Sequence, residues 1–226
     1  MYALKQSIAS PPKAVLFDWD NTLVDTWPIV HDALNHTLVT FGLKPYTLEE
    51  FRNRPQTSHR QTFPLIFGDQ WAQAEKIYYS LYAGIHKKML KILPGAQEIL
   101  EFLYENGVYL AVVSNKNGPF LRREVEYLGW KDYFKCVVGS TDSAHDKPSI
   151  WPVRCALKES GIEPGHNVWL VGDSDIDVEC ALNSKCVPVV VGNHPLQKDY
   201  GDTVLHAKDF HTLINILGTK NPGIVK

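Results

Sequence analysis

Four short stretches of this 226-residue chain hold the polar residues best placed to do chemistry. FDWDNTLVDT carries Asp18, Asp20 and Thr22, VVSNKN carries Ser114 and Asn115, HDKPS carries Lys147, and VGDSDID carries Asp173, Ser174 and Asp177. Each stretch follows a short apolar run, three of them directly and Lys147 at a distance. In Asp18-x-Asp20 the two side chains stand two apart, and in extended chain such residues point to the same side. One carboxylate could then attack an electrophile while its neighbour handles protons. Carboxylates gathered at one place repel unless a cation sits among them. A magnesium ion is the natural partner, because it is hard, prefers oxygen, and takes one or two protein carboxylates with substrate phosphate and water. A lysine beside such an ion makes a trap for a phosphoryl group, whose transfer is mostly positioning and neutralisation of charge. An aspartate nucleophile forms an aspartyl-phosphate and divides one hard step into two.

The elements that must hold these residues are legible in the apolar pattern. AVLF (14–17), VYLAVV (108–113), KCVV (135–138), VWLV (168–171) and VPVVV (187–191) are continuous apolar runs rich in β-branched residues. That is what strands covered on both faces require. Between them, residues 94–107, 119–129, 149–161 and 209–218 read as helices, with Gly107 and Gly129 following the ends of the first two. Alternating strands and helices predict an α/β fold, a Rossmann-like doubly wound parallel sheet with helices on both faces. Ligands in such sheets sit beyond the carboxyl ends of the strands, where the four polar stretches fall.

Residues 26–93 break this rhythm, for only helical patterns occur there. WPIVHDALNHTLVTFG (27–42) places Val30, Ala33, Leu34, Thr37, Leu38 and Phe41 on one face, with Gly42 as a stop. Thr47 and Glu50 make a capping box. Residues 69–90 put Trp71, Ala74, Tyr78, Leu81, Ile85 and Met89 at helical spacing. An insert of about 65 residues suits a small all-helical domain rather than a loop. The expected division is a core of residues 1–25 and 94–226, with a helical domain of residues 26–93 inserted after the first strand.

With these motifs in order, the chain resembles the haloacid dehalogenase-like hydrolase superfamily, and specifically its phosphatases. FDWDNTLVDT resembles the first motif, VVSNK the second, Lys147-Pro148 the third and GDSDID the fourth, from about residue 12 to about residue 195. The helical insert resembles the small cap of the phosphoglycolate phosphatase-like group, and LPGAQEILEFLYENG the Pro-Gly helix that follows it. The resemblance implies roles. Asp18 would be the nucleophile and a magnesium ligand. Asp20 would be general acid and then base, its backbone carbonyl also facing the metal, and Asp173 would be the third ligand. Asp177 would support the metal site, and Thr22 would orient the first motif. Ser114, the amide of Asn115 and Lys147 would hold the phosphoryl oxygens. Two positions depart from the family pattern near the nucleophile: Trp19 replaces a smaller aliphatic, and Asn21 replaces Gly, though Asn tolerates left-handed backbone. ALNSKC (181–186) lacks the family's small residue and Gly after the fourth motif.

In the insert, RNRPQTSHR gathers Arg52, Arg54, His59 and Arg60, candidates for gripping an anionic substrate from the cap. Tyr78, Tyr79 and Tyr82 read as cap core. The expected activity is Mg2+-dependent hydrolysis of a small phosphorylated metabolite, with phosphoglycolate, a sugar phosphate, a nucleotide monophosphate and pyrophosphate open. The same residues would serve a phosphomutase of the β-phosphoglucomutase type. A true dehalogenase lacks the second aspartate of the first motif, so Asp20 and Asp173 weigh against it. A phospho-accepting receiver-like signalling domain, the non-enzymatic reading, has no helical insert.

Composition narrows the partners. Twenty-three Lys and Arg against 25 Asp and Glu leave no broad cationic surface for nucleic acid. No apolar run reaches the roughly 20 residues of a membrane helix. MYALKQSIASPPKAVLF has no apolar core of a signal peptide. The four cysteines form no CxxC pair, which fits free thiols in a reducing cytoplasm. The chain is expected to act in the cytoplasm as a monomer or weak homodimer, its tail 219–226 loose.

Overall fold

A computed structural model of the chain describes residues 10–54 and 57–218. The expectations for the first residues and for the tail lie outside that range. In chain order the strands are β1 (Ala14–Phe17), β2 (Val24–Asp25), β3 (Lys91–Ile92), β4 (Tyr109–Val113), β5 (Cys136–Val138), β6 (Val168–Gly172), β7 (Val187–Val191) and β8 (Leu205–Ala207). The helices are α1 (Trp27–Thr40), α2 (Leu48–Arg52), α3 (His59–Phe67), α4 (Trp71–Met89), α5 (Ala96–Glu105), α6 (Gly118–Tyr127), α7 (Trp151–Leu157), α8 (Asp175–Asn183) and α9 (Phe210–Gly218).

Six strands form one sheet in the order β5-β4-β1-β6-β7-β8, and every pairing is parallel. β1 is buried along its whole length because both faces are covered. Val15 and Phe17 pack with Leu100 of α5, Leu121 of α6 and Leu213 of α9. Ala14 and Leu16 point the other way, into a cluster with Val153 of α7 and Ala181 of α8. Each Val, Leu or Phe side chain so removed from water contributes about 1.5–3 kcal/mol. The fold class expected from the apolar runs is therefore the one observed.

Register sets the site. Phe17 lies level with Val112 on one side and Val171 on the other. Asp18, Ser114 and Asp173 thus leave the sheet within a residue or so of one another, at the carboxyl ends of three neighbouring strands. β1 is the strand at which the order reverses, the crevice where doubly wound sheets bind ligands.

The stretch from Trp27 to Met89 is helical and has its own apolar cluster, built from Ile29, Leu34, Leu38, Phe51, Phe63, Phe67, Ala74 and Tyr78 among others. Gly42 follows α1 at φ +69, a left-handed turn that glycine takes without strain. The Thr47–Glu50 capping box is present in both directions, at 3.2 and 2.7 Å. α4 departs from the expected face. Its buried row is Ala74, Tyr78, Tyr82 and His86, while Trp71 and Leu81 are exposed. The row at i, i+4 wins because Tyr82 and His86 find a buried carboxylate, described below, that apolar periodicity does not see.

Three strands escape apolar patterning. β8 is three residues long with an exposed His206 at its centre. β2 and β3 are two residues each, paired antiparallel through Val24–Ile92 and Asp25–Lys91, and they tie the two ends of the helical insert together. No helix among the described residues is long and apolar enough to cross a membrane.

Candidate active site

Asp18 begins where β1 ends, held by its amide donating to the Val171 carbonyl at 2.8 Å. The chain then folds back tightly. The Trp19 carbonyl accepts from the amides of Leu23 and Val24 at 3.1 and 3.3 Å. Asn21 takes the left-handed conformation, φ 61. Asparagine is one of the few L residues that visit this region readily, so it serves where glycine would otherwise be needed. Its Oδ1 accepts from the Thr26 amide at 3.2 Å, which fixes the turn. The turn carries Thr22 back to the strand end, and its hydroxyl donates to Asp173 Oδ1 at 3.2 Å.

Asp173 and Asp177 come from the β6–α8 junction. A Cβ on Gly172 would lie 2.3 Å from the Asp177 carboxyl carbon, so only glycine lets that side chain fold back over the strand end. The amide and hydroxyl of Ser174 donate to Asp177 Oδ2 at 3.2 and 2.7 Å. At the far end of α8, within the ALNSKC stretch, Lys185 takes φ 59, and the helix closes there.

Lys147 is 1% exposed and donates to Asp18 Oδ1 and Asp177 Oδ1, both at 2.6 Å. Its backbone is clamped from both sides by one residue. Asn115 Oδ1 accepts from the Lys147 amide at 2.8 Å, and Asn115 Nδ2 donates to the Lys147 carbonyl at 3.1 Å. The Asn115 side chain therefore positions the lysine, which leaves its main-chain amide for a ligand. Ser114 is buried and lines the cavity above Asp18.

Asp18, Asp173 and Asp177 each offer a carboxylate oxygen, all within 4.8 Å of one another. Three buried carboxylates against one ammonium leave two negative charges in excess when all three are ionised. Burial pushes the Asp18 carboxyl up to about 6, with Asp177 and Asp20 adding and Lys147 opposing. Burial pushes Asp173 well above the usual carboxylate range, helped by Asp177 and Asp18. Burial alone would lower Lys147, but Asp177 and Asp18 outweigh it and hold the ammonium charged. An all-oxygen donor set with this excess charge fits a hard divalent cation and not a soft one.

Asp20 is not in that cluster. Its carboxylate accepts from Lys116 Nζ at 2.7 Å, a residue that sequence reasoning did not single out. Lys116 also lies 3.2 Å from Glu124 Oε2 and donates to the Tyr82 hydroxyl at 2.5 Å. Glu124 is fully buried on α6 and gathers three more contacts: Trp19 Nε1 at 2.7 Å, the Tyr82 hydroxyl at 2.7 Å and His86 Nδ1 at 2.9 Å. Burial would raise Glu124, but Lys116 first and the hydrogen bonds second hold it down to about 2. The chain thus places a fixed ammonium beside Asp20, braced from a helix of the core and a helix of the insert. A signal existed: Glu124 stands three residues after Leu121 and beside Val125, a charge on the apolar face of its helix.

The four candidates in the insert separate. Arg60 reaches Asp146, the neighbour of Lys147, through Nε at 3.1 Å and through Nη2, and donates to the Ser140 carbonyl at 2.8 Å. Ser58 donates to the same carboxylate at 2.5 Å. Arg60 is therefore committed to a clasp between insert and core. Arg52 lies over Trp27, 5.9 Å from the ring centre, and lines a second, outer cavity. Arg54 lies 4.5 Å over the Tyr46 ring and borders both cavities. His59 faces the inner cavity with its ring edge-on to Tyr78 at 4.3 Å. Tyr78, Tyr79 and Tyr82 belong to the helical cluster and also wall the cavity over Asp18, which encloses about 150 Å³.

A parallel sheet with a buried aspartate, a second aspartate two residues on, a lysine and a further carboxylate pair at its reversal point defines an α/β protein with a site built on carboxylate chemistry. The chain belongs to the haloacid dehalogenase-like hydrolase family, whose model matches residues 15–191. It is 31% identical to the phosphoglycolate phosphatase of Rhodospirillum rubrum, over 94% of this chain and 93% of that one. It is 29% identical to phosphoglycolate phosphatase 1 of Pseudomonas aeruginosa, over 81% and 71%. Among solved structures, a HAD-superfamily hydrolase from Ehrlichia chaffeensis is 31% identical with TM-score 0.65, over 93% and 98%. The fold is also that of a predicted phosphoglycolate phosphatase from Haemophilus somnus, at 20% identity and TM-score 0.79 over 90% and 97%.

Proposed function

We propose that this chain is a Mg2+-dependent phosphomonoester hydrolase that works through an aspartyl-phosphate on Asp18. One observation carries the reading. Lys147 bridges Asp18 and Asp177 at 2.6 Å on each side, while Asp20 rests on a separate lysine at 2.7 Å. Two carboxylates two residues apart are thereby given different environments and different tasks.

Asp18 attacks phosphorus, so the Asp18–phosphorus bond forms as the bond to the leaving oxygen breaks. Asp20 gives that oxygen its proton. A water then attacks phosphorus, loses its proton to Asp20, and frees Asp18 and inorganic phosphate. Lys147, the Ser114 hydroxyl and the Asn115 amide hold the phosphoryl oxygens as negative charge redistributes. Asp18 and Asp173, with the Asp20 carbonyl, are the groups we assign to Mg2+, and Asp177 supports them. When bound, the ion neutralises the phosphoryl charge and that of the carboxylate cluster.

The names of the relatives point to a small phosphorylated metabolite and make 2-phosphoglycolate the reference substrate. Four free cysteines among the described residues agree with a reducing cytoplasm. The helical insert covers the site from one chain, so we take the working unit to be a monomer or weak homodimer. The test is phosphate release from 2-phosphoglycolate and a metabolite panel with Mg2+, using Asp18→Asn as blank. Turnover on the order of 10³-fold above that blank is expected. Equal release by both proteins across the panel overturns the reading.

A further inference from the structure

The buried Glu124 carboxylate lies where three parts of the chain meet. Trp19, which stands between the two aspartates of the first motif, donates to Oε2 at 2.7 Å. Lys116, from the loop after β4, lies 3.2 Å from the same oxygen. Oε1 accepts from the Tyr82 hydroxyl at 2.7 Å and pairs with His86 Nδ1 at 2.9 Å, both from α4 of the insert. An ionised carboxylate has about four lone-pair sites, and here each has a buried partner.

The Lys116 ammonium is equally committed. Its N–H donors face Asp20 Oδ1 at 2.7 Å, the Tyr82 hydroxyl at 2.5 Å and Glu124 Oε2 at 3.2 Å. A lysine has three such donors, so all are used and the direction toward Asp20 is fixed. By taking Oδ1, the ammonium leaves Oδ2 of Asp20 for the proton that passes to a leaving oxygen. The Tyr82 hydroxyl accepts from Lys116 and donates to Glu124. Burial first, and Glu124 second, hold that phenol well above its ordinary value, so it keeps its proton. Hydrogen bonds chained in a dry interior polarise one another. Asp20 is thus fixed twice from Glu124, through Trp19 beside it in the chain and through Lys116 at its carboxylate. The indole N–H is what a smaller aliphatic at position 19 would lack. Asp18 is held otherwise, by Lys147 of the core.

We propose that Glu124 and Tyr82 are positioning residues for Asp20, so that helix α4 of the insert takes part in giving the leaving oxygen its proton and not in the attack by Asp18. This rests on the phosphatase reading above. As the Asp18–phosphorus bond forms, the electron pair of the breaking bond stays on the leaving oxygen and Asp20 supplies the proton. Glu124, Tyr82 and Lys116 keep their own protonation throughout.

The test compares benzyl phosphate, whose alkoxide must be protonated, with para-nitrophenyl phosphate, whose leaving oxygen needs no proton. Their kcat/KM values cover only the steps up to loss of the alcohol, so the later activation of water does not enter. Tyr82→Phe, which removes one hydroxyl, is expected to lower kcat/KM for benzyl phosphate about fivefold more than for the nitrophenyl ester, and Glu124→Gln about tenfold more. Added to Lys116→Met, Tyr82→Phe is expected to leave the ratio of the two values unchanged, because it acts through that ammonium. Should Glu124→Gln fail to fold, Tyr82→Phe and the double variant decide. Equal losses on both esters in Tyr82→Phe, or a further fall in the ratio in the Lys116→Met background, overturn the assignment and leave the phosphatase standing. No turnover of either ester above Asp18→Asn removes both.

Discussion

On the proposed mechanism, Lys116 acts through Asp20. It holds the Asp20 carboxylate at 2.7 Å and is itself held by Glu124. Lys116→Met is therefore expected to lower kcat for an alkyl phosphate roughly 10–100-fold, with a smaller loss for para-nitrophenyl phosphate, whose leaving oxygen needs no proton. An equal loss on both esters would reduce Lys116 to a packing residue. Glu124 gives a pH signature. Its folded value of about 2 lies below its ordinary 4.5, so the stability it contributes is present above pH 4.5 and drains away as pH falls toward 2. Glu124→Gln should be less stable at pH 7 by on the order of 2 kcal/mol and should lose part of the acid-side fall seen in the unaltered protein. Denaturation midpoints measured from pH 2 to 7 check this, and parallel curves would refute it. Asp18, Asp20 and Asp173 stood out as candidates because each follows an apolar run at a strand end, and Lys147 only through its place between the second and fourth motifs. Lys116, in the loop before α6, and Glu124, on α6, did not, because an isolated charge reads as solvated until its distant partners are known. Trp19 and Tyr82 lie 105 and 42 residues from Glu124.

Strands and helices were legible where apolar runs were long enough to have a period. The helical insert was legible as helices, but the face of α4 was not, since a row holding Tyr82 and His86 looks less apolar than one holding Trp71 and Leu81. The clasp between α3 and the loop before Lys147 had no sequence signal at all: Arg60 and Asp146 are 86 residues apart. That clasp joins the insert to the segment that carries the lysine. A double-mutant cycle of Arg60→Ala and Asp146→Ala is expected to give a coupling of about 1 kcal/mol, modest because the arginine is half in water. Additive losses in urea unfolding would show that the pair does not fasten the two parts. At the β6–α8 junction, Gly172→Ala is expected to displace Asp177 and with it Lys147, and to lower kcat by on the order of 10²-fold. Unchanged kcat would mean the junction tolerates a methyl that the geometry forbids.

The fold converts distance along the chain into proximity. Parallel strands end at one edge, so residues 18, 114, 147 and 173 meet although no two are adjacent in sequence. The resulting excess of buried negative charge works against folding until a cation joins it. Mg2+ should therefore stabilise the protein by RT ln(1 + [Mg2+]/Kd), about 2.7 kcal/mol at a hundredfold excess over Kd. Asp173→Asn, one charge poorer, should be the more stable protein without Mg2+ and should gain less from it. Thermal melting with and without the ion reads both effects, and an equal gain in the two proteins would place the ion elsewhere.

The most direct measurement follows the phosphoryl group itself. Asp20→Asn keeps the nucleophile and removes the base that activates water, so mixing it with Mg2+ and para-nitrophenyl phosphate should release one equivalent of nitrophenol and stop. Mass spectrometry of the quenched protein should then find phosphate on the peptide containing Asp18. Steady turnover without a burst, or phosphate on any other residue, would contradict the assignment of Asp18.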